Sequence, residues 1–97
     1  MAYQPSVYIL SNKQNGTLYI GVTSDLVKRV WQHKSKVCQG FSNKYGLDRL
    51  VFYELHSDIK AAIVREKQLK KWRRQWKLSL INEQNPNWVD LWESILD

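Results

Sequence analysis

The 97-residue sequence predicts an α/β domain, of the α+β kind, in which a three-stranded antiparallel sheet is flanked by helices. Two short apolar runs, at residues 7–10 and 17–22, flank a polar segment that ends in Asn15-Gly16. Asn-Gly between alternating apolar residues indicates a hairpin, because a type I′ turn needs two residues that tolerate positive φ. A third run, at residues 49–54, is rich in β-branched and aromatic residues. A chain of this length holds one core, so residues 1–97 are expected to form a single domain.

Strand side chains alternate between the two faces of a sheet, so the hairpin residues divide into two sets. The set predicted to share one face is Val7, Ile9, Leu18 and Ile20. The other set is Tyr8, Leu10, Tyr19 and Gly21. The alternation therefore predicts that the two tyrosines lie on the same face.

The first helix is predicted over residues 25–34, with Thr23 or Ser24 as its cap and Asp25 in its first turn. Two pairs of apolar residues spaced four apart predict the stripe that packs on the sheet. They are Leu26 with Val30 and Val27 with Trp31. Arg29 and His33, also four apart, form an adjoining row and are neighbours in space.

A loop is predicted over residues 35–48, with a short turn around residues 43–45. A second helix follows a cap at Ser57 or Asp58 and runs to about Trp72. Its inward stripe is expected to consist of Ile59, Ala62, Ile63, Glu66 and Leu69. Glu66 is anomalous, because a carboxylate stands where the helical period calls for an apolar side chain.

The C-terminal part predicts a third helix over residues 75–83 and a short terminal helix. The third helix is expected to bury Trp76, Leu80 and Ile81. Asn85-Pro86-Asn87 ends it, since proline lacks an amide donor and restricts the residue before it. Trp88, Leu91, Trp92 and Ile95 then repeat at helical spacing and are expected to pack back on the core.

The balance of charge favours acidic partners. The formal net charge of +6 is typical of proteins that bind nucleic acid, although many basic proteins bind none. No apolar run approaches the roughly 18 residues of a membrane span. The first residues also lack the basic-then-apolar pattern of a signal peptide, so we expect a cytoplasmic protein with no membrane partner.

The hairpin resembles the signature of the GIY-YIG nuclease superfamily. Tyr19-Ile20-Gly21 reproduces one half of that signature, and Ser6-Val7-Tyr8 reproduces the other with serine in place of glycine. Arg29, His33 and Glu66 follow in the order that the superfamily shows. The tail at residues 85–91 is similar to that of small stand-alone bacterial members.

The resemblance implies a GIY-YIG endonuclease-like fold and a divalent-metal-dependent endonuclease. Such an enzyme would use Mg²⁺ or Mn²⁺ to hydrolyse DNA phosphodiester bonds, cutting one strand per active site. Branched or damaged DNA, as in DNA repair, is among the substrates that the resemblance implies. The alternative is a nucleic-acid-binding module that keeps the fold without useful catalysis.

The resemblance also implies roles for four catalytic residues. Tyr19, with Tyr8, would contact or activate the attacking water, whereas by residue type alone each would be a packing tyrosine. Arg29 would brace the phosphoryl oxygens with its planar guanidinium. His33 would move a proton or orient water, or would simply be a hydrogen-bonding neighbour.

Glu66 matches the single metal-ligating glutamate of the superfamily. A buried lone carboxylate is costly, so an inward glutamate suggests either a bound cation or a cleft open to water. One carboxylate completed by waters and phosphates is a common Mg²⁺ site. A salt bridge to Arg29 or Lys70 is the alternative.

Basic side chains follow Glu66 along the second helix, interleaved with Trp72 and Trp76. We expect four of them to contact the phosphate backbone, the alternative being a solvated face. These are Lys67, Lys70, Lys71 and Arg74. Asn82 and Asn87 are candidates for a further polar residue of the site, or else a cap or turn residue.

Overall fold

A computed structural model describes residues 4–36 and 45–96 of the chain. Its sheet consists of β1 (Ser6–Ser11), β2 (Leu18–Thr23) and β3 (Arg49–Leu55). All pairing is antiparallel and the strand order is β2-β1-β3, which confirms the predicted sheet. The predicted turn around residues 43–45 lies largely outside the described residues.

The central strand is β1, and all six of its residues are buried. Two of them are serines whose hydroxyls bond to nearby backbone carbonyls, because buried polar groups need partners. The Ser6 hydroxyl donates to the carbonyl of Gln4 at 3.0 Å, and the Ser11 hydroxyl donates to that of Lys13. Serine at position 6, where the superfamily signature has glycine, is therefore accommodated inside the sheet.

The hairpin is confirmed, but its predicted type I′ turn is wrong. Residues 12–17 form a six-residue loop, in which the Gly16 amide donates to the Lys13 carbonyl at 2.9 Å. Asn15 has the positive φ of 58°, whereas Gly16 does not. The side chain of Asn12 accepts the Thr17 amide at 3.1 Å, so a side-chain bond replaces part of the expected backbone turn.

In the described parts of the chain, three α-helices surround the sheet: α1 (Leu26–Lys34), α2 (Ile59–Lys71) and α3 (Arg74–Gln84). A first core layer lies between the sheet and α2 and α3, and includes Val7, Ile9, Ile20, Ala62 and Leu69. A second core layer lies on the opposite face against α1, and includes Tyr8, Leu10, Leu26 and Val30. The predicted division of the hairpin residues between two faces is therefore confirmed.

A register shift between Ile9 and Leu10 marks a bulge in β3. Phe52 pairs with Ile9 and Leu50 pairs with Leu10, so Val51 is the extra residue. Because of this bulge, Val51 and Phe52 both contribute to the first core layer while Leu50 contributes to the second.

Helix α1 begins one residue later than predicted, and of its two predicted apolar pairs only Leu26 and Val30 pack in the core. Asp25 is its N-cap, and its carboxylate accepts the Lys28 amide at 3.2 Å. The buried residues are Leu26, Val30 and His33. Val27 and Trp31 are 37% and 52% exposed, so the expectation that they pack on the sheet is wrong. The row of buried residues continues to His33, so the histidine lies inside the protein.

Helices α2 and α3 meet at a corner around Trp72. Asp58 caps α2 by accepting the Ala61 amide at 2.8 Å, and Glu66 is buried on its inner face as predicted. In α3, Ile81 is buried and Leu80 is half-buried. Trp76 is 51% exposed, so the prediction that it is buried is wrong. Leu80 and Ile81, about one turn further along α3, contribute to the first core layer instead.

The C-terminal segment packs on the sheet as a 3₁₀ helix (Leu91–Ile95) rather than an α-helix. Trp88 is fully buried, although its backbone φ of 52° lies in the left-handed region. Its indole nitrogen donates to Asn82 Oδ1 at 2.6 Å. Within the described residues, none of the helices has the length and apolar character needed to cross a bilayer.

Asn85 connects this segment to the sheet. It is 6% exposed, and its Nδ2 donates to the carbonyls of Val51 and Val89 at 3.1 and 2.8 Å. Its Oδ1 accepts the Val89 amide at 3.1 Å. Three hydrogen bonds therefore depend on one buried amide side chain.

We predict that Asn85→Ala lowers the free energy of unfolding by about 1–3 kcal/mol, because it leaves buried backbone groups without partners. The matched control is Asn87→Ala, in the same turn, where the side chain is exposed and the change should be within about 0.5 kcal/mol. Chemical denaturation of both variants measures the difference. Equal stabilities would mean that Asn85 does not fasten the segment.

Candidate active site

The site begins with a close approach between the two strands of the hairpin. Tyr8 in β1 lies opposite Gly21 in β2, and its ring covers the glycine. A Cβ at position 21 would lie 2.5 Å from Tyr8 Cζ, closer than atoms of two side chains can approach. Glycine is required here because the phenol ring occupies the space of a side chain.

Three rings meet beside this contact: Tyr8 from β1, Tyr19 from β2 and His33 from α1. We call them the aromatic–histidine cluster. The His33 ring centroid lies 5.8 Å from that of Tyr8 and 5.3 Å from that of Tyr19, and the two tyrosine centroids are 6.3 Å apart. The hydroxyl of Tyr8 and Nε2 of His33 are 3.1 Å apart and form a buried hydrogen bond.

The two tyrosines differ in exposure. Tyr8 is 1% exposed, whereas Tyr19 is half-buried. A hydroxyl that bonds to His33 inside the protein can position its neighbours, while one at the surface can meet water or substrate. The cluster therefore has an inner tyrosine and an outer tyrosine.

His33 is neutral at physiological pH. Burial lowers the pKa of His33 from 6.5 to about 4, and the charge of Arg29 lowers the pKa in the same direction. A neutral imidazole has one nitrogen that accepts a hydrogen bond and one that donates, so either His33 or the Tyr8 hydroxyl can supply the proton between them. Only the neutral form gives the ring this choice.

Arg29 lies one helical turn before His33 and is half-buried. Its Nη1 donates to Gln32 Oε1 at 3.1 Å, a bond that holds the guanidinium along the helix. The structure therefore places a cation next to the aromatic–histidine cluster, as the spacing predicts.

Glu66 lies on α2, which packs against β2, the strand that carries Tyr19. The residue is 8% exposed and its Oε2 bonds to Lys70 Nζ at 2.6 Å. The salt bridge to Lys70, one of the two alternatives to a metal site, is therefore present. The contacts of Tyr8, Tyr19 and His33 described above do not include Glu66.

The donor set at Glu66 fits Mg²⁺ or Mn²⁺ as a one-carboxylate site. The described residues contain no group of three His, Cys, Asp or Glu side chains placed to hold a metal, so waters and phosphate oxygens would supply most ligands. The Lys70 side chain is 55% exposed and flexible, so it can leave the carboxylate when another cation arrives.

The four basic residues predicted to contact DNA have different surroundings. Lys70 pairs with Glu66, and Arg74 donates through Nη2 to the carbonyls of Asn15 and Gly16 at 2.8 and 2.6 Å. Arg74 thus fastens the hairpin loop to the corner between α2 and α3. Lys67 and Lys71 are exposed, which suits them better to phosphate contact.

Sequence reasoning missed Asn85 and considered its neighbours instead. Asn82 bonds to the Trp88 indole and Asn87 is exposed in the turn, so both stand apart from the aromatic–histidine cluster. The one available signal was that Asn85 directly precedes a proline, in a position that helices seldom extend beyond.

A groove of about 890 Å³ opens on the α1 side of the sheet. Trp31, Leu55, Trp92 and Ile95 contribute to its walls. None of the predicted site residues is among the described residues that line this groove.

Comparison with known proteins agrees with the resemblance. Residues 4–79 match the family model described as the GIY-YIG catalytic domain. A UPF0213 protein of Staphylococcus saprophyticus is 32% identical over 77 residues, which span 79% of this chain and 93% of that protein. A UPF0213 protein of Clostridium perfringens is 34% identical over 79 residues, which span 81% of this chain and 84% of that one.

A solved structure is similar over most of the chain. The solution NMR structure of a UPF0213 protein from Bacillus halodurans superposes with a TM-score of 0.54 at 27% sequence identity. The match covers 84% of this chain and 86% of that one. The three-stranded antiparallel sheet with three helices is thus shared with an experimentally determined structure.

We predict that NMR titration will find the pKa of His33 near 4 and that Arg29→Ala will raise it. The pKa should stay below 6.5, because burial is the larger cause and remains. Lys28→Ala, the exposed neighbour on the same helix, should leave the pKa unchanged. An ordinary pKa in the wild type, or equal shifts in both variants, would contradict the described surroundings of His33.

The same lowered pKa has a consequence for stability. The unfolded chain binds more protons at His33 than the folded chain does between pH 4 and 6.5. The free energy of unfolding therefore falls as the pH is lowered through that window.

Proposed function

Because this chain belongs to the family of GIY-YIG catalytic domains, we propose that it is an endonuclease that hydrolyses DNA phosphodiester bonds. The observation that carries the proposal is the convergence of Tyr8, Tyr19 and His33 from two strands and a helix, with Arg29 one turn away. Family membership implies a nucleic-acid substrate. The choice of DNA, one cut per active site and dependence on a divalent metal are parts of the proposal.

Arg29 stabilises the reacting phosphate. Water attack on phosphorus builds negative charge on the non-bridging oxygens, and a guanidinium can donate to two of them at once. Neutral His33 beside it neither competes for the phosphate as a cation nor pairs with Arg29 as an anion would. His33 therefore does not neutralise the positive charge of Arg29.

Tyr19 orients the attacking water and Tyr8 positions the site. Tyr19 is half-buried, so water can reach its side of the cluster. Tyr8 is buried and bonded to His33, so it sets the position of the imidazole. His33 can then pass a proton between the hydroxyl of Tyr8, the inner tyrosine, and the side of the cluster where Tyr19 lies.

Glu66 would hold the metal ion, Mg²⁺ or Mn²⁺, and Lys70 would release the carboxylate on binding. The metal, when bound, supplies Lewis-acid stabilisation of the phosphate and lowers the pKa of a water. Glu66 contributes one negative charge that is already matched by a cation in the described structure. Metal binding would therefore exchange one cation for another at the carboxylate.

The alternative, a binding module without catalysis, is weakened by one observation. Ser6, which departs from the glycine of the signature, is fully buried and bonded to a backbone carbonyl. The departure leaves the register of Tyr8 against Gly21 intact.

We predict that the purified protein nicks supercoiled plasmid with Mg²⁺ or Mn²⁺ and that Arg29→Ala slows nicking by about 10²–10³-fold. Loss of a donor aimed at the developing charge typically has this effect. Lys28→Ala, which removes an equal charge from the exposed side of α1, should nick at close to the wild-type rate. Binding without cleavage by the wild type would favour the module, and equal rates for both variants would remove Arg29 from the site.

We predict that Lys70→Gln lowers the metal concentration needed for half-maximal cleavage at saturating DNA, because Glu66 loses its competing cation. Lys67→Gln removes a charge from the same helix without touching Glu66 and should leave that concentration unchanged.

Glu66→Gln should abolish cleavage while retaining most DNA affinity, since that affinity comes mainly from lysine and arginine. Cleavage by Glu66→Gln at the wild-type rate would make Glu66 a structural partner of Lys70.

A further inference from the structure

The corner between α2 and α3 presents an exposed aromatic ring in a field of positive charge. Trp76 is 51% exposed, and the stretch from residue 67 to residue 82 contains no Asp or Glu. The cations of this stretch are Lys67, Lys70, Lys71, Arg73, Arg74 and Lys77. An exposed tryptophan among so many cations needs an explanation that packing does not provide.

Neighbouring side chains hold the Trp76 ring in place. The rings of Trp72 and Trp76 meet edge to face, with centroids 5.9 Å apart at 85°. Trp72 packs against the first core layer, and the guanidinium of Arg65 lies over it at 5.3 Å. Arg65 is in turn bonded to Glu54 by two hydrogen bonds, at 3.0 and 3.2 Å. Trp76 is therefore supported by a fixed base that extends to the sheet.

Arg73 adds a cation to the same ring. Its guanidinium lies 5.4 Å from the Trp76 centroid, at the start of α3. Arg74, the next residue, is bonded to the hairpin loop, and Trp72, the residue before Arg73, packs against the first core layer. The backbone that carries Arg73 and Trp76 is therefore held at both ends of the corner. The ring and its cation are thus ordered before any ligand arrives, which reduces the entropy lost on binding.

We propose that Trp76 is a stacking platform for an unpaired base of the nucleic-acid substrate, with Arg73 and its neighbours contacting the flanking phosphates. The proposal rests on the proposed function and narrows it to substrates with single-stranded nucleotides. Lysines alone would serve a duplex backbone, but a flat exposed ring offers its π-face to a base. Bases within a duplex are already stacked on each other, so an unpaired base is the partner that fits.

The chain provides its own control in Trp31. It is 52% exposed, almost the same as Trp76, but it lines the groove with Trp92 and Ile95. Lys28 is the one cation among the described residues that line this groove. Removing either ring exposes or deletes a similar area. Only Trp76 should matter for single strands.

The proposal is tested by fluorescence anisotropy with labelled 12-nucleotide DNA, as a single strand and as a blunt duplex. Metal is left out of the samples so that cleavage does not interfere. Trp76→Ala should weaken single-strand binding by about 5- to 150-fold, the usual range for one stacked base, with a much smaller effect on the duplex. Trp76→Phe should retain most of the affinity, and Trp31→Ala should bind as the wild type does.

The proposal is overturned if Trp76→Ala and Trp31→Ala bind single strands equally, if both DNA forms lose the same affinity, or if the wild type does not bind single strands. Plasmid nicking by the same samples separates the two claims. Nicking with no Trp76 effect on binding would remove the platform and keep the nuclease. An effect of Trp76→Ala on single-strand binding, with no nicking by the wild type, would keep the platform and remove the nuclease.

Discussion

The contact of the Tyr8 ring with Gly21 is the constraint on which the candidate site depends. It brings the two hairpin strands together at a point where no side chain would fit on β2. The Tyr8 hydroxyl then reaches Nε2 of His33, so the hairpin and α1 are joined by one buried hydrogen bond. Tyr19 lies on the same face of the sheet, is half-buried and completes the cluster. One glycine therefore allows one tyrosine to align three elements.

Burial and one ion pair set the charges in and around the candidate site. Burial and Arg29 keep His33 neutral, and Glu66 is matched by Lys70 on the same helix. A buried carboxylate is costly unless paired, and a flexible surface lysine is a partner that a divalent ion can replace. Arg74 serves the fold by fastening the hairpin loop, and Trp76 points outward beyond it.

The features that depend on local periodicity could be predicted from the sequence. Alternation in the hairpin placed Tyr8 and Tyr19 on one face, and helical spacing placed Glu66 inside. Features that depend on tertiary contacts could not. The direction of α1 decides whether Val27 and Trp31 or His33 faces the sheet. The corner at Trp72 decides that Trp76 is exposed. The sequence offers the salt bridge of Glu66 as an alternative to a metal site. The spacing of charges predicts a cationic partner for Glu66 but does not decide whether that partner is a lysine or a metal ion.

We propose that Glu66 on α2 and the aromatic–histidine cluster beside β1 and α1 serve one metal-dependent centre. Mn²⁺ added to isotopically labelled protein broadens NMR signals close to the bound ion. We expect the signals of Glu66, Tyr19 and His33 to broaden together at low Mn²⁺, and Glu66→Gln to remove the effect at all three. Broadening at Glu66 that spares Tyr19 and His33, or broadening that survives Glu66→Gln, would contradict it.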